Sequence, residues 1–224
     1  MTSSYPQCGH CPYKNSDRLC MNRNGKAPDN CPTKHRESAV QHAVEEMHEP
    51  ENLDFVRNAA IQEGEGYANK ELGYEHVKPI KPRIQETIEF AKKMNFNRLG
   101  LVFCIGLAKE AKAVDHLLID NGFEVASVCC KIGCRPKEQI GLNEQHKIQP
   151  GSFEAMCNPI AQALILNETG TEFNILMGLC VGHDSLMLKY AKAPCTVLAV
   201  KDRLLGHNPL AAIYTLESYY RSLK

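Results

Sequence analysis

Four short apolar segments alternate with helical segments between residues 80 and 224, and this alternation constrains the fold more than any other feature of the chain. The apolar segments span residues 98–104, 123–130, 173–179 and 195–200. Nearly continuous apolar runs of this kind are typical of strands that are buried on both faces of a parallel sheet. Strands that alternate with helices imply an open parallel sheet with right-handed crossovers. We therefore predict an α/β fold, a Rossmann-like three-layer parallel sheet of about four strands over residues 80–224.

The helical segments carry start and stop signals. Helices are expected to begin at Pro82, Ala108, Pro159, Gly182 and Pro209. Proline is favoured in a first helical turn because its nitrogen needs no hydrogen bond there, and the pair Asn121-Gly122 is a common helix stop. Residues 131–150 show no clear periodicity. Loops of such length inside a domain are usually functional or disordered.

The residues ahead of the sheet form two further predicted regions. Residues 1–36 have few large apolar side chains and carry six Lys or Arg against two Asp. Such a segment cannot build a hydrophobic core, so another interaction must order it. Residues 37–79 begin with two apolar helical stripes that Glu49-Pro50 separates. We predict a cysteine-rich metal-binding lobe over 1–36, a helical pair packing on the core over 37–79, and the α/β domain over 80–224.

The lobe contains four of the chain's 11 cysteines. Cys8 and Cys11 form a C-x-x-C pair, which lets both thiolates reach one metal at about 2.3 Å. Cys20 and Cys31 would complete a tetrahedron, and metal binding would then supply the folding energy that the lobe otherwise misses. The metal is left open, since zinc and iron–sulfur sites both use such spacings. The alternative is a redox dithiol, although a thioredoxin-type C-x-x-C should follow a strand and open a helix.

The remaining cysteines follow the predicted strands. Cys104 ends the first strand, Cys130 ends the second after Cys129, and Cys180 follows the third. The carboxyl ends of parallel strands share one edge, where ligands bind. We therefore predict a cofactor-binding set that comprises Cys104, Cys130, Cys134, Cys157 and Cys180. Core cysteines are common, and Cys195, which begins its strand at the opposite edge, is expected to be one.

Polar residues accompany these thiols. His183 and Asp184 follow Cys180 at a strand–glycine–helix transition, where backbone N–H groups favour anions and lower thiol pKa values. The two side chains are either an acid–base pair, or Asp184 caps the helix. Lys201 follows the fourth strand and is a candidate for proton transfer or anion binding. His183, Asp184 and Lys201 are the predicted catalytic residues.

Several of these segments together resemble a known family. They are the C-x-x-C lobe with its later cysteines and the segments 104–107, 130–131, 157–159, 180–184 and 200–209. They resemble an uncharacterised prokaryotic family of predicted metal-binding proteins, domain of unknown function 1847. The resemblance implies metal binding and no particular reaction. In cysteine usage alone, the edge is also similar to iron–sulfur desulfidases of small thio-compounds, which hold a cluster through three cysteines and leave one iron open.

Charge and length restrict the remaining possibilities. The formal net charge is zero, which argues against a nucleic-acid partner, and no apolar run approaches the roughly 20 residues of a membrane helix. The first seven residues carry no apolar signal core. Thiols at this density in a reducing compartment more often bind metal or do chemistry than form disulfides. We therefore expect a cytoplasmic protein, and its assembly into a homo-oligomer is left open.

The sequence favours a metalloenzyme that acts on a small molecule. An iron–sulfur cluster, of the 4Fe-4S type, is expected at the edge of the sheet, and a structural metal such as zinc in the lobe. Two alternatives stay open. One is a non-catalytic zinc-binding or redox- and metal-sensing protein. The other is an enzyme in which Cys180 is a thiolate nucleophile beside His183.

Overall fold

A computed structural model describes residues 5–224 of the chain. These residues fall into two compact units, of which the first ends at Gly64 and the second runs from Glu65 to Lys224. The division falls inside the segment 37–79, for which a helical pair is predicted. No helix of the described chain is long and apolar enough to cross a membrane.

The first unit is built from short helices and turns. Its α-helices are α1 (Pro32–His35), α2 (Glu37–His48) and α3 (Pro50–Glu65), and its 3-10 turns are Cys8–His10 and Asn15–Asp17. Helices α2 and α3 meet at Glu49, ahead of the proline that separates the predicted pair. Among the described residues of this unit, Gln62 alone is buried, which agrees with the expectation that residues 1–36 build no hydrophobic core.

The second unit carries six strands and five α-helices over its described length. In chain order they are β1 (Tyr67–Ala68), β2 (Lys78–Pro79), α4 (Arg83–Lys93), β3 (Arg98–Phe103), α5 (Ala108–Asp120), β4 (Glu124–Cys129), α6 (Pro159–Thr169), β5 (Phe173–Leu179), α7 (His183–Tyr190), β6 (Cys195–Val200) and α8 (Leu210–Tyr214). Strands β1 and β2 form a small antiparallel pair. The four apolar segments become β3 to β6, as predicted.

Strands β3 to β6 form one parallel sheet in the order β4-β3-β5-β6. The predicted α/β fold with a four-stranded parallel sheet is therefore confirmed. Its centre is apolar, with Leu99, Leu101, Ile175 and Leu176 almost fully buried. Strands β3 and β5 are neighbours in space although β4 lies between them in the chain. In parallel sheets, such a reversal of strand order opens a crevice at the carboxyl ends of the two strands.

The segment after β4 is ordered, although it shows no periodicity in sequence. It contains the 3-10 turns Lys137–Ile140 and Glu144–His146, and Pro136 forms an antiparallel bridge with Ala155. Glu154 accepts hydrogen bonds from the Ile148 and Gln149 amides at 2.8 and 3.2 Å and pairs with Lys137 at 2.5 Å. Polar contacts, rather than a hydrophobic stripe, hold this loop together, which is why the apolar pattern does not reveal its structure.

The interior of the sheet depends on the smallest side chain at Gly100. A Cβ at this position would lie 2.6 Å from Cδ1 of Leu166 and closer still to Oδ1 of Asn174. Asn174 is fully buried, and its Oδ1 accepts a hydrogen bond from the Thr171 hydroxyl at 2.8 Å. The space beside Gly100 is therefore taken up by a buried polar pair.

We expect Gly100→Ala to lower the free energy of unfolding by about 1–3 kcal/mol, because the added methyl must displace this pair or Leu166. Chemical denaturation monitored by circular dichroism would measure the change. Ser127→Thr is the matched control, since it adds one carbon at an exposed position of the adjacent strand and should leave stability almost unchanged. Equal stability of the two variants would contradict this description of the core.

Candidate functional site

The carboxyl edge of the sheet, meaning the residues that directly follow β3 to β6, is held by main-chain hydrogen bonds. The Cys130 amide donates to the Phe103 carbonyl oxygen at 2.9 Å, and the Cys104 amide donates to the Met177 carbonyl oxygen at 3.2 Å. The Lys201 amide likewise donates to the Leu179 carbonyl oxygen at 3.2 Å. The ladder thus continues one residue past the strands and fixes the backbone of each of these three positions.

Cys157 is brought to this edge from a distant point in the chain. The amide of Asn158 donates to the Cys130 carbonyl oxygen at 2.8 Å, and the Asn158 side chain caps α6 by accepting from Ala161 at 3.0 Å. The Cys157 sulfur consequently lies 3.8 Å from the Cys130 sulfur. A disulfide has a length of about 2.05 Å, and all cysteines are free, so the two sulfurs are in hydrogen-bonding contact without a covalent bond.

This contact separates the proton affinities of the two thiols. The hydrogen bond from Cys130 lowers the pKa of Cys157 to about 5, with further lowering by the positive charges of Lys131 and His183. The same contact raises the pKa of Cys130, and burial adds to the rise. The amide of Ile105 donates to the Cys130 sulfur at 3.3 Å. This hydrogen bond lowers the pKa of Cys130 and offsets the rise only in part. From these opposite shifts we infer that the shared proton stays on Cys130 and that Cys157 carries the negative charge.

Lys131 and His183 stand beside this thiolate for different structural reasons. Lys131 directly follows Cys130, and its Nζ donates to the Ala155 carbonyl oxygen at 2.5 Å. His183 is the first residue of α7, and its amide donates to the Cys180 carbonyl oxygen at 2.9 Å. Sequence reasoning missed the role of Lys131, although its position immediately after a strand-ending cysteine was an available signal.

Cys104 and Lys201 meet at the other side of the edge. Cys104 is buried, and its negative form would raise the pKa of Cys130, which places the two thiols near each other. The Lys201 Nζ and the Cys104 sulfur both lie within 4 Å of the point where a Cβ on Gly106 would stand. The structure therefore collects Cys104, Cys130, Cys157 and Lys201 around the ends of β3 and β4.

Cys180 has a separate environment. Its sulfur accepts a hydrogen bond from Nη2 of Arg203 at 3.0 Å. The end of β5 that carries it is irregular, because the pairing with β6 shifts on either side of Met177 and Gly178 has a φ of +66°. A Cβ on Gly178 would also lie 2.5 Å from Cδ1 of Leu107. This bulge, which a glycine inside an apolar strand could have indicated, sets where Cys180 leaves the sheet.

The expected roles of Asp184 find less support. The N-cap residue of α7 is Gly182, and no side chain caps this helix, so the interpretation of Asp184 as the cap is wrong. Asp184 Oδ1 instead accepts from the amide of Ser185 at 2.8 Å. No hydrogen bond or ion pair joins Asp184 to His183 within residues 5–224, and the acid–base pair stays a prediction.

Three further cysteines take no part in the contact between Cys130 and Cys157. Cys134 is exposed and has a φ of +47° in a turn closed by its own amide and the Lys131 carbonyl oxygen. The Cys129 sulfur accepts a hydrogen bond from the Lys131 amide at 3.4 Å. Cys195 begins β6 at the opposite edge, as predicted. It is half-buried rather than a core residue, and its partial burial raises its pKa.

Gln162 supports the edge from α6 and was not anticipated. Its fully buried side chain donates from Nε2 to the carbonyl oxygens of Phe103 and Val128, at 3.2 and 2.7 Å. It therefore ties β3, one residue before Cys104, to β4, two residues before Cys130. The Gln162 Oε1 atom is buried and has no hydrogen-bond partner in the described chain.

The lobe cysteines are gathered in the first unit. Cys8, Cys11, Cys20 and Cys31 all line one cavity of about 50 Å³. A close chain crossing supports it, since the Leu19 amide donates to Lys26 at 2.9 Å, and a Cβ on Gly25 would lie 2.5 Å from the backbone of Arg18. Cys8 and Cys20 are exposed, whereas Cys11 and Cys31 are half-buried.

Neither cysteine set is drawn together as closely as a metal requires. Among residues 5–224, no three His, Cys, Asp or Glu side chains are arranged so that they could hold a metal ion. The ligand sets proposed for the lobe and for the edge therefore stay predictions. The four lobe cysteines do line one cavity, whereas the structure brings only Cys104, Cys130 and Cys157 of the edge set near one another.

Comparison with known proteins gives a relative without a described activity. Residues 31–198 match a family described as protein of unknown function, DUF1847. The chain is also 44% identical over 185 residues to the uncharacterized protein MJ0455 of Methanocaldococcus jannaschii, a match that covers 83% of this chain and 87% of the relative.

The thiolate at Cys157 leads to a test by alkylation. In reduced, chelator-treated protein, iodoacetamide should modify Cys157 at pH 6, because a thiol with a pKa of about 5 is mostly ionised there, whereas a free cysteine of pKa about 8.5 is not. Lys131→Met should move the midpoint of the rate profile to higher pH by removing a positive charge. Mass spectrometry of peptides would follow the reaction, with Cys157→Ser as the blank. A Cys157 rate that rises only above pH 8 would contradict the assignment.

Proposed function

The chain belongs to the DUF1847 family of proteins of unknown function, and from its own geometry we propose that it is a metal-binding enzyme that acts on a small molecule through thiolates. The lobe holds a structural metal, and the carboxyl edge of the sheet is the place of reaction. The proposal is carried by the contact of 3.8 Å between the Cys130 and Cys157 sulfurs. A buried thiol beside a thiolate that Lys131 and His183 flank is a reactive arrangement, in contrast to a packed core cysteine.

The sheet offers a suitable platform for such a reaction. We infer a Rossmann-like arrangement in which right-handed crossovers put α5 on one face of the sheet and α6 with α7 on the other. The order β4-β3-β5-β6 then makes the ends of β3 and β5 the switch point, where open α/β sheets bind ligands. Cys104, which follows β3, and Cys180, which follows β5, border that point.

The fit of an iron–sulfur cluster to the edge can be judged from the sulfurs. Cys104, Cys130 and Cys157 would supply the three thiolates of a cluster with one open iron. However, two thiolates bound at about 2.3 Å to one tetrahedral ion lie roughly 3.8 Å apart, whereas the cysteines of a four-iron cluster bind different irons. The separation of Cys130 and Cys157 favours one shared ion or one shared proton over a cluster. The cluster stays a prediction, and the proposed roles of the edge residues do not require it.

The lobe fits a structural metal for another reason. Its four cysteines line one small cavity, and no apolar core surrounds them. A bound metal would add folding energy in a segment that has little other source of it. Zinc requires four thiolates at about 2.3 Å and no further chemistry, so it suits this role.

At the edge, each residue has a distinct role in the proposed reaction. Cys157 presents the thiolate that binds or attacks the small molecule. Cys130 keeps the proton and can return it to a leaving group. His183 and Lys131 stabilise the negative charge on Cys157, and Lys201 supplies a cation on the side of Cys104. Asp184, the remaining predicted catalytic residue, stays a secondary candidate.

Metal analysis of anoxically purified protein tests the proposal. We expect metal in the wild type, loss of about one equivalent in Cys20→Ser or Cys31→Ser, and retention of the lobe metal in Cys157→Ala. Inductively coupled plasma mass spectrometry with an assay for acid-labile sulfide would distinguish zinc from an iron–sulfur cluster. Cys195→Ser is the matched control, because Cys195 lies at the opposite edge of the sheet and belongs to neither predicted ligand set. Wild-type protein without iron, zinc or sulfide, even after reconstitution, would contradict the proposal.

A redox sensor is the second candidate, and the same contact favours it. A hydroperoxide would oxidise the Cys157 thiolate to a sulfenate, and the Cys130 sulfur would then displace hydroxide. In balance, two thiols and one hydrogen peroxide yield one disulfide and two waters. The two sulfurs lie close enough that only a small movement would be required.

Thiol titration before and after mild peroxide tests this candidate. We expect a loss of two thiols in the wild type, reversed by dithiothreitol, and no such paired loss in Cys157→Ser. Cys134→Ser should behave like the wild type, because Cys134 is exposed and its sulfur makes no hydrogen bond to Cys130 or Cys157 among the described residues. An unchanged count of thiols in the wild type would rule out the sensor and leave the enzyme in place.

A further inference from the structure

Lys201 occupies an unusual place at the carboxyl edge. Its amide is anchored to the Leu179 carbonyl oxygen at the end of β5, and its side chain extends to the turn after β3. The Nζ atom stands 2.8 Å from the point that a Cβ on Gly106 would occupy, and the Cys104 sulfur stands 3.9 Å from the same point. The Lys201 side chain thus reaches from the end of β5 to the turn after β3, the two strands between which the strand order reverses.

Gly106 makes this position available. A Cβ at this position would stand 2.8 Å from the Lys201 Nζ, so the ammonium group would have to move away. The backbone at Gly106 is part of the 3-10 turn Ile105–Leu107, whose first amide donates to the Cys130 sulfur. One short turn therefore both contacts a reactive thiol and leaves space for a cation.

The carboxylates at this edge are directed to the backbone. Asp202 Oδ1 accepts from the amides of Leu204 and Leu205 at 3.1 and 2.8 Å, and Asp184 accepts from Ser185. Arg203 donates to Cys180. Over residues 5–224, no hydrogen bond or ion pair joins the Lys201 ammonium group to any side chain. It is half-buried, and a half-buried cation without a counter-charge favours an anionic ligand.

We propose that the small molecule carries a carboxylate, and that the Lys201 ammonium group, seated over Gly106, binds this carboxylate beside the thiols. The inference rests on the proposed function, since it names the class of molecule for the same edge. A carboxylate suits a single compact ammonium group. Phosphate is commonly held by several donors at once, from arginine forks or glycine-rich loops, whereas at this edge Lys131 and Arg203 already donate to Ala155 and Cys180.

Two alkylating reagents of equal size test the charge preference. Iodoacetate carries a carboxylate, and iodoacetamide is its neutral counterpart; in both, a sulfur–carbon bond forms and iodide leaves. We expect the ratio of the iodoacetate rate to the iodoacetamide rate at Cys157 to exceed the ratio at the exposed Cys134. The ratio cancels changes in the reactivity of the thiolate itself, so it reports on the binding of the carboxylate.

Variants assign the preference to Lys201. Lys201→Met should lower the ratio at Cys157 by roughly fivefold or more, as the loss of one nearby charge predicts. Gly106→Ala keeps the charge but displaces the ammonium group, and it should lower the ratio by an intermediate factor. Lys112→Met removes an exposed lysine of α5 and should leave the ratio unchanged. An equal ratio in the wild type and Lys201→Met would overturn the inference.

A second measurement applies to protein in which bound metal keeps the thiols from being alkylated. Acetate, and not acetamide, should raise the melting temperature of the wild type in a saturable way at constant ionic strength, and Lys201→Met should abolish this rise. Equal shifts from acetate and acetamide would overturn the inference, as would equal acetate shifts in the wild type and the variant. Metal content is measured separately, so wild-type protein that binds no metal after reconstitution but keeps the charge preference would refute the proposed metal site and leave the carboxylate site standing.

Discussion

The hydrogen bond from the Asn158 amide to the Cys130 carbonyl oxygen is the interaction on which the candidate site depends. It joins the end of β4 to the beginning of α6 across a long loop. Without it, Cys157 would be an isolated thiol at a helix start, and Cys130 would be a buried cysteine of ordinary kind. With it, the two sulfurs share a proton, and one of them becomes a thiolate in the neutral pH range.

The parts of this site that follow from sequence are those that local pattern determines. Apolar runs gave the four strands with their limits almost unchanged, and the geometry of parallel strands then placed Cys104 and Cys130 at one edge. Cys157 belonged to the predicted set, but its contact with Cys130 did not follow from any pattern. That contact depends on the loop after β4, which polar pairs such as Lys137 with Glu154 hold in shape, and such pairs leave no periodic signal.

The two cysteine sets differ in what orders them. At the edge, main-chain hydrogen bonds of the sheet fix the positions of Cys104 and Cys130 before any ligand binds. In the lobe, the cysteines line a cavity among turns that have no hydrophobic core. Metal loss in the lobe would therefore appear as lost folding free energy, whereas a change at the edge would appear in reactivity while the sheet stays intact. The zero net charge and the total of 11 cysteines do not reveal this difference between the two sets.

The charges at the edge also explain why a lysine without an acidic partner is useful there. A carboxylate that approaches the Cys157 thiolate meets electrostatic repulsion, and this repulsion would exclude the molecule unless a cation compensates for it. Lys131 and His183 are already engaged in stabilising the thiolate. Lys201 lies beside Cys104 on the other side of the turn, where its charge remains available to the ligand. Separate cations for the thiolate and for the carboxylate allow both negative charges to occupy the same edge.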